Sequence, residues 1–190
     1  MPELPEVEIV KQSLQKKIRN KIIEKVLVKN RNLRFKIHTN FESHLQKKKI
    51  KKIDRFSKYL IFLFEDKSGF SIHLGMSGTI HLYDLNKKNI FTNTSFYSSP
   101  ILPKKHNHVE IQFNKLKFIY NDPRRFGYFL TFNNKIELKK KFSHFGPEPF
   151  SKSFCIDYII KHLKNKEKNI KSFLLDQKFV SGIGNIYANE

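Results

Sequence analysis

Residues 22–28, 50–53, 59–64, 70–74, 79–83, 109–113, 116–120 and 128–132 are short runs rich in aromatic and β-branched residues, each bounded by a polar turn. So many short strands in succession predict an antiparallel β-sandwich. Ahead of all of them, residues 5–18 place Val7, Ile9, Val10, Leu14 and Ile18 at mixed three- and four-residue spacings, which predicts a helix with one buried face. The strand pattern stops around Phe145-Gly146-Pro147-Glu148-Pro149. Helical spacing follows: a capping-type start at Ser153 with Ile156, Ile159, Ile160 and Leu163 predicts one helix, and residues 169–176 a second. The class is therefore α+β, with a sandwich domain over 1–136, a linker over 137–150 and a helical domain over 151–190. Residues 86–105, rich in Asn, Ser, Thr and Pro, read as a long surface loop.

A chain of 190 residues can form one substantial core, or a medium domain with a small one, and 19 Phe supply ample apolar area. The 37 Lys and Arg against 17 Asp and Glu give a net charge of +20, which predicts attraction to a polyanion, with nucleic acid the leading candidate. Lys, Asn, Ile and Phe all have A/T-rich codons, so mutational bias is a second source for part of this excess. Cys155 is the single cysteine, which excludes an internal disulfide and a multi-cysteine zinc site and suits a reducing cytoplasm. No apolar run approaches the ~20 residues of a membrane span, and the acidic start is unlike a signal peptide. A soluble intracellular protein with no membrane partner is expected.

The start of the chain, Met1-Pro2-Glu3-Leu4-Pro5-Glu6-Val7-Glu8, carries a chemical possibility. Proline behind the initiator permits removal of Met1 and leaves Pro2 with a free secondary amine. Free α-amino groups titrate at about 7.7–8.0, so an appreciable fraction is neutral near physiological pH. Attack by such an amine on a sugar carbon that is losing its base gives a cationic iminium, an electron sink that drives loss of the adjacent phosphate, with Glu3 as proton carrier. The competing reading is that Pro2 and Pro5 shape a helix start, where Glu3, Glu6 and Glu8 suit the positive end of the helix dipole. On these residues alone it is the stronger one.

Further motifs change the balance: Phe56-Ser57-Lys58-Tyr59-Leu60, His73-Leu74-Gly75-Met76-Ser77-Gly78, Asn121-Asp122-Pro123-Arg124-Arg125-Phe126-Gly127, Gly146-Pro147-Glu148-Pro149 and Gly182-Ile183-Gly184-Asn185-Ile186-Tyr187-Ala188. With the opening Pro2-Glu3-Leu4-Pro5-Glu6, the set spans the whole chain and resembles the bacterial formamidopyrimidine-DNA glycosylases. The resemblance implies an N-terminal helix plus antiparallel β-sandwich, followed by a helix–two-turn–helix domain that is incomplete in this sequence. It implies excision of 8-oxoguanine and formamidopyrimidines from damaged double-stranded DNA by a monomer, then strand nicking by β- and δ-elimination. Pro2 would be the nucleophile, Glu3 the acid/base partner and Lys58 the proton donor in elimination. Met76, Arg124 and Phe126 would fill the space left by the extruded nucleotide, with Arg124 bonding the orphaned cytosine. His106, Arg124, Asn185 and, through looser alignment of a lysine-rich helix, Lys166 would contact DNA, with the glycine turn's amides on phosphates.

Away from the resemblance, Lys58 reads as a solvated charge, Met76 and Phe126 as core side chains, and His106 with His108 as a metal pair lacking a third ligand. The resemblance also implies a four-cysteine zinc finger, which one cysteine cannot supply, so no cofactor is expected in this chain. The helix entered at Asn185 stops at Glu190, so the sequence reads as truncated. Covalent chemistry is then expected to be retained and DNA grip weakened, with exposed apolar faces on the remaining helices. A catalytically impaired DNA-binding remnant, an endonuclease VIII-like activity on oxidised pyrimidines and a basic RNA-binding protein are the alternatives.

Overall fold

The computed structural model describes residues 1–86 and 103–190; most of the stretch read as a surface loop, 86–105, lies outside the described residues. The order is α1 (Leu4–Ile18), β1 (Lys25–Val28), α2 (Phe41–Leu45), β2 (Ile50–Phe56), β3 (Tyr59–Phe64), β4 (Gly69–His73), β5 (Thr79–Asp84), β6 (Asn107–Phe113), β7 (Leu116–Asn121), β8 (Tyr128–Phe132), α3 (Lys135–Phe142), α4 (Ile156–Leu163) and α5 (Ile170–Leu175). The strands form two four-stranded sheets, ordered β1-β6-β7-β5 and β2-β3-β4-β8, with every pairing antiparallel. The expected α+β class and sandwich are both present.

The core lies between the sheets, where aliphatic side chains surround a cluster of phenylalanines. Phe62 of β3 meets Phe118 of β7 edge-on at 6.1 Å between ring centroids. Phe70 of β4, fully buried, stacks on Phe62 at 4.4 Å and takes the edge of Phe41 from α2 at 5.9 Å. Offset and edge-to-face rings add attraction beyond the area they bury. In α1 the buried set is Leu4, Val7, Val10, Leu14 and Ile18, whereas Ile9 points outward. The helix lies on β2, the edge strand of its sheet, and Gln15 Oε1 accepts the Ile53 N–H at 2.7 Å. A strand edge that would otherwise be open is closed there by a side chain.

Several boundaries differ from expectation for identifiable reasons. The run 22–28 divides: Ile22 bridges to Lys49 and Ile23 N–H reaches Lys48 O at 2.9 Å, whereas Lys25–Val28 pairs with β6. The chain crosses there from one sheet to the other. The stretch read as a linker carries most of α3, capped by Asn134, whose side chain accepts the Glu137 N–H at 2.9 Å. No residue of α3 is buried, so it has no apolar face for a periodicity to reveal. In the helical region Ser153 lies in a turn, and α4 starts after Cys155. Asn169 does cap α5, accepting from Ser172 N–H at 2.9 Å. The apolar residues Ile156, Ile160 and Ile170 stand exposed.

Phe70→Ala removes the ring on which Phe41, Phe62, Phe64 and Phe129 converge and is expected to lower the unfolding free energy by about 3–5 kcal/mol, measured by urea denaturation.

Candidate active site and nucleic-acid interface

The extreme N-terminus is fixed by contacts from the far end of the sequence. Glu3, the residue before α1, is 2% exposed. Its own N–H donates to Glu6 Oε2 at 2.9 Å, and Leu4 N–H donates to Gly182 O at 3.0 Å. Its carboxylate accepts from the backbone N–H of Gly184 and from that of Ile186, the latter at 2.8 Å. These amides open the terminal turn, where Ala188 N–H reaches Gly184 O at 3.0 Å. Position 184 has to be glycine: a Cβ there would lie 2.5 Å from Glu3 Oε1. This corrects one expectation, since two of the amides read as phosphate holders are occupied by Glu3.

Lys58 is buried beside this anchor, in the turn joining β2 to β3. Burial lowers its pKa from the ordinary lysine value, and the Glu3 and Glu6 carboxylates act in the opposite sense. The reading of Lys58 as a solvated charge therefore fails. The turn itself is held: Ser57 adopts a φ of +52°, its N–H donates to Glu148 Oε1 at 2.6 Å, and its carbonyl accepts from Arg55 Nη1 at 2.9 Å. Arg55 also pairs with Glu148 and, at 2.9 Å, with Glu8 of α1.

A cavity of about 460 Å³ opens in front of these groups, with Met1, Lys58, Tyr59, His73, Gly184 and Asn185 in its wall. Pro2 is half-buried directly behind Met1. His73 is pushed down to a pKa of about 4, by burial first and then by the charges of Lys58 and Arg34. Its Nδ1 accepts the Gly75 N–H at 3.1 Å, which requires the neutral ring form at that atom, and the ring stacks on Tyr128 at 5.2 Å.

The other nominated residues lie on loops. Met76 is 48% exposed and Phe126 40%, so neither is a core side chain. Arg124 holds its guanidinium 4.6 Å above the Phe126 ring centroid. The two loops touch backbone to backbone at Gly75, where φ is +66° and a Cβ would stand 2.5 Å from Gly127 N. Arg124, Arg125 and Phe126 line a second cavity of about 490 Å³ with Asn32, Leu33 and Arg34. His106 is exposed at a φ of +67°, and Asn185 is exposed at the rim of the first cavity. Lys166 departs from expectation: α4 ends at Leu163, and the exposed Lys166 belongs to the connection that follows rather than to a helix. Arg34, which lines both cavities, was not nominated from sequence because its loop carries no motif.

The sequence profile of the formamidopyrimidine-DNA glycosylase N-terminal domain matches residues 1–129, and that of the formamidopyrimidine-DNA glycosylase H2TH domain matches residues 145–190. The chain belongs to the formamidopyrimidine-DNA glycosylase family. It is 42% identical to the formamidopyrimidine-DNA glycosylase of Wolbachia pipientis wMel, covering all of this chain and 65% of that protein. With the Legionella pneumophila (strain Philadelphia 1) protein it is 39% identical over all of this chain and 64% of the relative. The chain thus spans 65% or less of the length of these two relatives. Among solved structures, a complex of the Lactococcus lactis protein with abasic-site DNA superposes with a TM-score of 0.84 at 30% identity, over 99% of this chain and 65% of that one. A complex of a Lactococcus lactis variant with DNA containing Fapy-dG gives 0.85 at 31%, over 100% and 65%.

The zinc that the family resemblance implies finds no ligand set here. Among the described residues no three His, Cys, Asp or Glu side chains gather to hold a metal. His108 of the His106–His108 pair is buried and spends Nε2 on the Asp122 carbonyl at 2.8 Å. No helix among the described residues is long and apolar enough to cross a membrane.

Two outcomes follow from the packing of this site. Gly184→Ala forces the terminal turn away from Glu3 and is expected to lower stability by about 1–3 kcal/mol in urea denaturation. The neutral ring of His73 also makes stability depend on pH. Its folded pKa of about 4 lies below the ordinary 6.5, so its contribution is complete above 6.5 and lost as pH falls toward 4. His81, also lowered by burial, adds in the same direction. Unfolding free energy is expected to fall by up to about 1.4 kcal/mol per pH unit through His73 in this window. His73→Gln should flatten its share; an unchanged slope contradicts the assignment.

Proposed function

We propose that this chain acts on damaged duplex DNA as a base-excision glycosylase for oxidised purines, with 8-oxoguanine and formamidopyrimidines as substrates, and as a lyase at the resulting abasic site. The observation that carries this reading is the buried Glu3, next to Pro2 and bonded to the amides of Gly184 and Ile186, beside a cavity lined by Met1, buried Lys58 and the exposed Asn185. Once Met1 is removed, the Pro2 nitrogen attacks the sugar C1′. The bond from C1′ to the base breaks and the base departs with the electron pair, taking a proton. The bond from C1′ to the ring oxygen then opens, that oxygen is protonated, and the amine gives up its own proton to leave the iminium. Glu3, held within the site by two amides, suits the transfer at the ring oxygen. Removal of a C2′ proton then expels the 3′ phosphate, a second proton loss expels the 5′ phosphate, and water hydrolyses the remaining iminium to release the sugar remnant and restore the Pro2 amine. Lys58, with its lowered pKa, exchanges protons near neutral pH more readily than a solvated lysine does.

The net charge of +20 supports phosphate binding, and the exposed Met76, Arg124 and Phe126 support filling of the space left by an extruded nucleotide. Borohydride trapping on an abasic duplex and on a duplex with 8-oxoguanine opposite cytosine tests the reading. A covalent adduct that disappears in Pro2→Gly is expected, and Lys58→Gln is expected to slow strand cleavage about 10²- to 10³-fold. Adduct on the abasic duplex alone restricts the chain to lyase chemistry, and stronger trapping on oxidised pyrimidines reassigns the substrate. Salt-dependent binding with no adduct on any duplex leaves only a DNA-binding protein.

A further inference from the structure

Asp122 is fully buried, yet it serves neither the core nor the proposed chemistry. Burying a carboxylate is costly unless its oxygens are bonded, and here each oxygen is. Ser77 Oγ donates to Oδ1, while Tyr120 Oη at 3.0 Å and Gly127 N–H at 2.8 Å donate to Oδ2. The backbone of Asp122 is equally committed: its N–H donates to His106 O at 3.0 Å, and its carbonyl accepts from His108 Nε2. Ser77 accepts in turn from Arg124 N–H at 3.2 Å. Three loops meet at this one residue: that of Met76 and Ser77, that of Arg124 to Gly127, and the turn at His106. Burial, followed by the Asp122 carboxylate, pushes the Tyr120 phenol pKa upward, so that this partner remains a donor.

We infer that Asp122 is a positioning residue that locks the Met76, Phe126 and His106 loops into a single unit, so that they meet a duplex together. A wedge inserted between base pairs meets resistance, and loops that yield separately transmit less of the binding energy to extrusion. The consequence for DNA rests on the glycosylase reading above; the coupling of the loops does not.

Ser77→Ala and Asp122→Asn test it in the 190-residue chain. The first readout is hydrogen exchange of the Gly127 and Asp122 backbone N–H groups, which donate to Asp122 Oδ2 and His106 O and not to Ser77. In Ser77→Ala both are expected to exchange at least about ten-fold faster, with the β6–β7 ladder unchanged. A change confined to Arg124, which loses its own acceptor, overturns the coupling. The second readout is the borohydride adduct. An abasic site needs less extrusion work than an intact lesion pair, so in both variants the adduct on the 8-oxoguanine duplex is expected to fall about ten-fold further than on the abasic duplex. Equal losses on the two duplexes reduce Asp122 to a fold residue. If the parent chain itself forms no lesion adduct, the glycosylase reading fails at lesion capture, while the exchange experiment still decides the coupling.

Discussion

The carboxylate of Glu3 bonded to the amides of Gly184 and Ile186 is the contact on which the site depends. It sets where Pro2 stands, it supplies a partner charge for Lys58, and it occupies the end of a turn whose next residue, Asn185, borders the cavity. A buried charge–amide contact of this kind is directional, so it fixes geometry in a way that apolar packing alone does not. Around it, Arg55 joins α1, the β2–β3 turn and Glu148 of the segment leading into the helical region. The arrangement places the start of the chain, Lys58 and Asn185 in one cavity wall, with the Glu3 carboxylate bonded to Gly184 of that wall.

The electrostatics of the site oppose those of the surface. The protein as a whole is strongly cationic, but where the cavity is deepest burial works against charge: Lys58 is lowered and His73 is held neutral. In the function proposed above, phosphates meet solvated lysines and arginines over a broad area, whereas the proton transfers fall to groups that have lost much of their water. The same residue types thus serve two purposes, divided by depth.

The strands were legible from short aromatic and β-branched runs bounded by polar turns: the runs 59–64 and 128–132 coincide with β3 and β8. The first helix was legible from its 3–4 spacing, although that pattern wrongly drew in Ile9. The five-residue α2, with Phe41 and Leu45 its only buried residues, is too short to show a period, and α3 buries nothing. Of the site, the motif residues were legible as a resemblance, but their environments were not. Nothing local distinguishes the buried Lys58 from the solvated Lys51 and Lys52 seven and six positions earlier. Asp122 lay inside a motif, but its role was not legible there, because it depends on Ser77, 45 residues earlier in the chain, and on the burial of Tyr120 at the end of β7. Arg34 gave no signal, since its significance arises from lining two cavities.

The partners of Glu3 lie 181 and 183 residues further along the chain. During synthesis at about 5–20 residues per second, the residue made among the first waits roughly ten to forty seconds for the amides that will hold it. The sandwich can close in that interval, but this wall of the cavity cannot. The proposed chemistry requires the Pro2 nitrogen to be free, and this order of synthesis leaves the N-terminus accessible to an aminopeptidase before the amides that close this wall exist.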